Sequence, residues 1–440
     1  MVFYTLKASE GSTKCPVLYK YTIEGIIKVF DYIESQRKIG VFMQMSHRIS
    51  GFQCSPIRRL SPLARAAKKR GVHVHYLNIG QPDIKTPQIA LDAAKNYSKP
   101  NIPYGPSEGL LKLREGMVDY YKKQGVEDLT SDDILITTGG SEAIQFAFMT
   151  LCDPYDEVII PEPYYTNVTS FARTAMVNLV PVTSLIEDDF ALPPIAEFEA
   201  KITRKTGAIL LCSPNNPTGY VYTKDEMLQL LELCKRNDIF LIVDEVYREF
   251  CYEGEFSSVL TFDEYSDRVV CIDSFSKRYS MCGARIGALV SKNSDFRDSV
   301  LKLSQARLCP PEIEQIIAIA ALKTDSSYLE NVNKEYKKRR DFLTEGLSKI
   351  PNIKSACPKG AFYLVAELPV DDAEKFAIFL LNDFSYEKET VMIAPAEDFY
   401  VTNGIGKKQA RIAYVLNTHD LGRALICLEK GLEAYNKLSK

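Results

Sequence analysis

Tryptophan is absent from this 440-residue chain, and histidine occurs only four times. His73 and His75 alternate as on a strand, and a surface or core role is expected of them rather than metal binding. The 11 cysteines form no Cys-x-x-Cys pair and no Cys/His cluster. An odd, scattered set suits reduced thiols in the cytoplasm rather than a disulfide framework or a zinc site. Neither sign of charge dominates. With 54 basic and 57 acidic residues the net charge is -3, which gives a nucleic acid no electrostatic footing. The basic runs Lys68-Lys69-Arg70 and Lys337-Lys338-Arg339-Arg340 read as solvated helix faces. Long apolar runs are also missing. The stretch over 17–30 is broken by Lys20, Glu24 and Lys28, so it is neither a signal h-region nor a membrane span. Glu10, Glu24, Asp31 and Glu34 argue against an organelle transit peptide. Ile23, Ile26, Ile27, Phe30 and Ile33 have the spacing of one short amphipathic helix, to which no chemistry is assigned.

What remains is a length and composition suited to a large core and a second, smaller one. Between about residues 131 and 291, short apolar runs alternate with helical patterns. Strands are expected over 133–137, 157–160, 178–183, 207–212, 239–244, 268–273 and 287–291, with helices over 142–151, 224–236 and 295–307. Strands rich in Val, Ile and Leu on both faces and joined by helices predict an α/β fold. Its large domain, over 91–324, is a mostly parallel seven-stranded sheet covered by helices. Beyond Pro310-Pro311 the texture changes to a long charged helix near 329–349, a strand at 362–367, a helix over 372–383, a strand at 411–415 and a final helix. This predicts a smaller α+β domain made of 45–90 and 325–440, with 1–44 as an extension of unknown role. No internal repeat or low-complexity tract is visible.

Three loops after predicted strands carry unusual polar chemistry. They are Cys212-Ser-Pro-Asn-Asn-Pro-Thr-Gly219, Ile242-Val-Asp-Glu-Val-Tyr247 and Ser274-Phe-Ser-Lys-Arg-Tyr-Ser-Met-Cys-Gly-Ala-Arg-Ile-Gly287. Singly, each has an ordinary reading as a turn, a helix cap and a surface lysine. A fourth element, Thr137-Thr-Gly-Gly-Ser-Glu-Ala143, reads as strand, glycine turn and helix start, whose free N–H groups suit a phosphate.

Taken in order, these motifs resemble the class I aminotransferases of the aspartate aminotransferase superfamily, fold type I of the pyridoxal-phosphate enzymes. The likeness runs from about residue 46 to the C-terminus. It implies pyridoxal 5'-phosphate as cofactor, held as an internal aldimine on Lys277. By the same likeness Asp244 partners the pyridine nitrogen, and Asn216 and Tyr247 bind the phenolic oxygen. Gly140, Ser141, Ser274, Ser276 and Arg285 hold the phosphate, and Tyr165 stacks on the ring. Tyr104, in Tyr-Gly-Pro-Ser-Glu-Gly, reaches the phosphate of a neighbouring subunit's cofactor, which implies a homodimer with shared active sites. Arg411, in Ala-Arg-Ile-Ala, grips the substrate α-carboxylate, with Gly80 beside it.

The expected reaction is transfer of an amino group between an amino acid, aspartate or a relative of it, and 2-oxoglutarate. A dicarboxylate needs a second cation. One bacterial aspartate-specific branch carries Lys where this chain has Ser141, so Arg307 is the first candidate and Arg278 the second, each with an alternative role at a surface or interface. Ala284 stands where many relatives have an aromatic residue. A β-eliminating lyase of the same fold would keep every cofactor residue. A non-catalytic regulator of this fold would carry a DNA-binding domain in front, and 44 mildly charged residues are too few for a winged helix.

Overall fold

Strands that are apolar on both faces must be covered on both faces, and the centre of the molecule is built that way. The computed structural model describes residues 57–438 continuously, with Ser46, Ile49, Phe52 and Ser55 ahead of them. The helix expected over 23–33 lies outside the described residues. Phe52–Lys440 forms one compact unit, and the fold described here is that of this unit.

A short strand β1 (His73–Tyr76) precedes the main sheet. The sheet comprises β2 (Ile134–Thr137), β3 (Glu157–Glu162), β4 (Asn178–Thr183), β5 (Thr206–Cys212), β6 (Phe240–Asp244), β7 (Val269–Ser274) and β8 (Gly287–Val290). Its order is β2-β8-β7-β6-β5-β3-β4, and β8 alone runs antiparallel to its neighbours. All seven expected strands are present. β2 starts one residue late because Asp133 is used elsewhere: its carboxylate accepts from Thr130 N and Oγ1, both at 2.8 Å, closing a 3-10 turn. The helix Gly140–Leu151 starts two residues early, since Gly139 at φ 78° supplies the N-cap turn. Helices Asn167–Ala175 and Glu312–Ala321, absent from the sequence expectation, cover further sheet and core surface.

Later strands build two smaller sheets. β9 (Lys354–Ser355), β10 (Tyr363–Glu367), β12 (Ala394–Pro395) and β13 (Gln409–Ala413) form an antiparallel sheet, and β11 (Glu389–Met392) pairs in parallel with β1. Helices Ser326–Ser348 and Thr418–Leu438 pack together over them. Their core gathers Phe250, Tyr336, Phe362, Leu364, Ile412 and Leu380, all completely buried. The main sheet has its own apolar layers on either side. The fold also unites what the sequence kept apart. His75 Nε2 lies 3.1 Å from Glu389 Oε2, and Cys427 completes a group whose ligand atoms lie within 4.8 Å. Glu389 is already engaged, because Arg423 Nε donates to the same oxygen at 2.8 Å.

At the end of the main sheet Thr137, Gly287 and Ser274 stand in one row across β2, β8 and β7. A Cβ on Gly287 would sit 2.6 Å from Gly139 C, 2.7 Å from Asp273 O and 2.7 Å from Gly140 N, all backbone atoms. Backbone in a strand or at a helix start cannot swing aside as a flexible side chain can. Gly287→Ala is therefore expected to cost about 1–3 kcal/mol of stability, read as a lower denaturation midpoint. An unchanged midpoint would mean the row is looser than drawn.

Candidate active site

Parallel strands deliver their C-terminal ends to one edge, and the loops that follow meet there. Register sets Cys212 beside Asp244 and Asp244 beside Ile272, so the three loops singled out in the sequence emerge side by side. They wall a cavity of about 570 Å³, the size range of a small-ligand site. Gly80, Gly140, Ser141, Tyr165, Asn216, Asp244, Tyr247, Ser274, Ser276, Lys277, Arg285 and Arg411 all line it.

One end is a cradle of donors. Ser274 caps the short helix Phe275–Arg278, taking a bond from Ser276 N at 3.1 Å, and its hydroxyl donates to Ser276 Oγ at 2.9 Å. Arg285, in left-handed backbone at φ 53°, reaches Cys282 O at 3.0 Å and Ser276 Oγ at 3.5 Å. The Gly140–Leu151 helix points its N-terminus here. Gly139 holds a positive φ that favours glycine, and a Cβ there would lie 2.4 Å from Arg285 Nη2, so the guanidinium would have to shift. Hydroxyls, a guanidinium and free helix N–H groups together suit a phosphate dianion.

Lys277 Nζ donates to Gly80 O at 3.1 Å. Asn216 Nδ2 lies 3.4 Å from the Tyr247 hydroxyl, which is 3.1 Å from that of Tyr363. Burial pushes the Tyr247 phenol well above its ordinary value, with Tyr363 adding to the effect. Asp244 is buried at the end of β6. Loss of water is the main force that pushes its carboxyl up to about 7, Asp273 and Glu245 add to it, and the Val246 N–H at 3.2 Å and Lys277 oppose it. A buried acid of this kind calls for a cationic or protonated partner.

Arg411 makes the same demand with the opposite sign. Its side chain is 1% exposed, yet its partners are the neutral Asn216 Oδ1 at 3.0 Å and Asn78 O, and its Nε has none. Burial lowers its pKa. A buried guanidinium that faces a cavity and has no carboxylate partner among the described residues is a site for a planar anion. The donor set therefore fits pyridoxal 5'-phosphate with an amino-acid substrate: a phosphate cradle, an amine, a buried acid and an anion-seeking arginine. When bound, that cofactor supplies a carbonyl for an amine to attack and a ring that accepts electrons.

Beneath the cavity lies a charge network. Asp273 accepts from Arg278 Nη1 at 2.8 Å and Tyr121 at 3.0 Å, and Arg248 pairs with Glu245 at 2.9 Å. Burial works against ionisation of Asp273, but Arg248 and Arg278 outweigh it and hold the carboxyl below its ordinary value. Arg278 is thus spent beneath the site and does not line the cavity. Arg307 is committed to Glu142 at 2.6 Å and Ser107 O at 2.9 Å and does not line the cavity of its own chain. Tyr104 is 81% exposed and does not line it either. Asn78, Tyr363, Asn167, Cys282 and Arg58 were not singled out in the sequence; Asn78 supports Arg411 and the others line the wall. Cys282 lies within the Ser274–Gly287 motif without being marked by it, and the others reach the site from segments distant from the three loops.

The profile of the family Aminotransferase class I and II matches residues 72–425. An aspartate aminotransferase of Thermotoga maritima is 34% identical over 357 residues, covering 81% of this chain and 92% of that protein. Among solved structures, an aspartate aminotransferase from Thermus thermophilus with maleate superposes with a TM-score of 0.81 at 27% identity, over 89% of this chain and all of that one. An alanine aminotransferase from Pyrococcus furiosus gives 0.81 at 31% identity over the same shares. A cavity built for this cofactor, in this fold and with these relatives, has one reading: the chain belongs to the class I and II aminotransferases and is a pyridoxal-phosphate-dependent aminotransferase.

Proposed function

We propose that the enzyme moves an amino group between aspartate, or a closely related amino acid, and 2-oxoglutarate. The observation that carries this is the excess of cation in the cavity, where Arg58, Lys277, Arg285 and Arg411 face the single carboxylate of Asp244. The aspartate aminotransferase relatives support it.

In this reading Lys277 would hold the cofactor through its carbonyl, and its amine, once free, would take a proton from the substrate Cα as base and return it as acid. Asp244 holds a proton at the ring nitrogen, and Asn216 and Tyr247 hold the phenolic oxygen. Gly140, Ser141, Ser274, Ser276 and Arg285 hold the phosphate, and Tyr165 packs on the ring. Arg411 takes the α-carboxylate in a two-pronged grip, with Gly80 beside it.

The exposure of Tyr104 supports a homodimer in which this residue serves the neighbouring site, as would Arg307 if it crosses the interface. Separate apolar cores support a large domain over 91–324 and a small one from 45–90 and 325–440, closing on substrate. Nine free cysteines among the described residues support a reducing, cytoplasmic location. No helix among the described residues is long and apolar enough to cross a membrane.

The test is a half-reaction on the holoenzyme, with single amino acids added and the bound cofactor's absorbance followed. Aspartate and glutamate are expected to convert it to the amine form, and 2-oxoglutarate to reverse the change. Conversion by alanine or aromatic amino acids alone would remove the aspartate assignment. Release of ammonia without an acceptor would place the chemistry with the lyases.

A further inference from the structure

The proposed reading leaves one cavity cation without work. Lys277 meets the cofactor carbonyl, Arg285 its phosphate and Arg411 the substrate α-carboxylate, but Arg58 also lines the wall. Among the described residues its guanidinium has no hydrogen bond or ion pair. The next residue shows how differently an arginine can be used here. Arg59 pairs with Glu374 at 2.8 Å and with Asp398, anchoring the chain just before the helix Ser61–Lys69.

Arg58 is nevertheless held in place through its backbone. Arg58 N and Arg59 N both donate to Ser55 O, at 2.9 and 2.8 Å. On its other side Ile57 is buried among Ala394, Ala396 and Phe399. Ile57 O accepts from Asn78 Nδ2 at 2.7 Å, and Asn78 O in turn accepts from Arg411. A single asparagine thus ties the Arg58 segment to the arginine assigned to the α-carboxylate. Arg58 is held at its backbone, its guanidinium has no partner among the described residues, and it lines the same wall as Tyr165. Arg307 and Arg278 have carboxylate partners of their own, so neither has an unpaired charge to offer.

We propose that Arg58 determines substrate specificity by binding the distal carboxylate of an amino or 2-oxo dicarboxylic acid whose α-carboxylate is held by Arg411. This rests on the aminotransferase reading of the cavity and adds the residue that selects its substrate class. A guanidinium meets a carboxylate through two parallel N–H bonds, so lysine in its place restores the charge but not the fork.

The experiment titrates maleate and acetate into the wild-type, Arg58→Ala and Arg58→Lys holoenzymes, alongside kcat/KM for aspartate, 2-oxoglutarate, alanine and pyruvate. Arg58→Ala is expected to weaken maleate binding and lower kcat/KM for the two dicarboxylates by about 10²–10³-fold. Acetate binding and the values for alanine and pyruvate should stay within about threefold, since those ligands never reach Arg58. Arg58→Lys should fall between. The proposal is overturned if Arg58→Ala keeps the maleate-to-acetate ratio, if it lowers all four substrates equally, or if Arg307→Ala collapses the ratio in its place. It is also overturned if the wild type holds maleate no more tightly than acetate. The underlying reading fails separately, if the wild-type cofactor absorbance responds to no amino acid at all.

Discussion

Lys277→Ala is expected to lower turnover by about 10⁴-fold or more, because nothing else in the cavity can stand in for its amine. General acid–base catalysis by one positioned group is worth about 10²–10⁴-fold, and covalent attachment of the cofactor is lost with it. No other lysine and no histidine lines the cavity among the described residues. The Tyr247 phenol, pushed well above its ordinary value by burial, is a poor proton acceptor at neutral pH. The Cys282 thiol is engaged with Ser276 O at 3.1 Å. The phosphate cradle of Ser274, Ser276 and Arg285 does not include Lys277, so the variant should still bind the cofactor, visible in its absorbance without a covalent link. Added small amines should restore part of the rate in proportion to their basicity, a response a merely structural lysine would not give. A correctly folded variant retaining more than about 1% of the rate would contradict the proton-transfer role assigned to this residue.

The cavity wall was largely legible in the sequence because parallel sheets concentrate function at strand ends. Asp244 closes β6 and Ser274 closes β7, and each local motif marked its own strand and turn. Register did the rest without needing to be foreseen, since adjacent parallel strands bring their ends together. Where side chains arrive from distant segments, local pattern has nothing to offer. Tyr363 meets Tyr247 across 116 residues, and Arg411 meets Asn78 O across 333. The pairing of β1 with β11 sets His73 opposite Glu389, and the alternation of His73 and His75 marked a strand without showing its partner. The direction taken by the Arg278 side chain was equally beyond local pattern. Arg278 sits next to Lys277 in sequence, but a side chain on a turn can point either way, and the buried carboxylate of Asp273 draws it beneath the site. Arg58 and Arg59 look alike in sequence, and only the acidic neighbours supplied by Glu374 and Asp398 separate an anchor from an unpaired charge.

Asp244→Asn is expected to move stability and activity in opposite directions. In the cofactor-free protein the folded carboxyl titrates at about 7, chiefly because burial strips it of water, while an unfolded aspartate titrates near 3.8. The folded state therefore holds more protons than the unfolded one between these values, and stability falls as pH rises through that window. At about 1.4 kcal/mol per pH unit, the loss is on the order of 4 kcal/mol by pH 8. Asparagine cannot ionise. The variant's cofactor-free form should lack this decline and be the more stable protein at pH 8, with the difference vanishing towards pH 4. Urea denaturation across that range at fixed ionic strength measures it. With cofactor bound the sign reverses, since a proton held at the ring nitrogen gives the carboxylate its cationic partner and an amide provides no such charge. Turnover should then drop by about 10²–10³-fold, the cost of removing one preorganised group that stabilises developing charge. A structural aspartate would lose stability and activity together at every pH. A gain in one with a loss in the other identifies a charge kept buried at the expense of the empty protein, because catalysis requires it there.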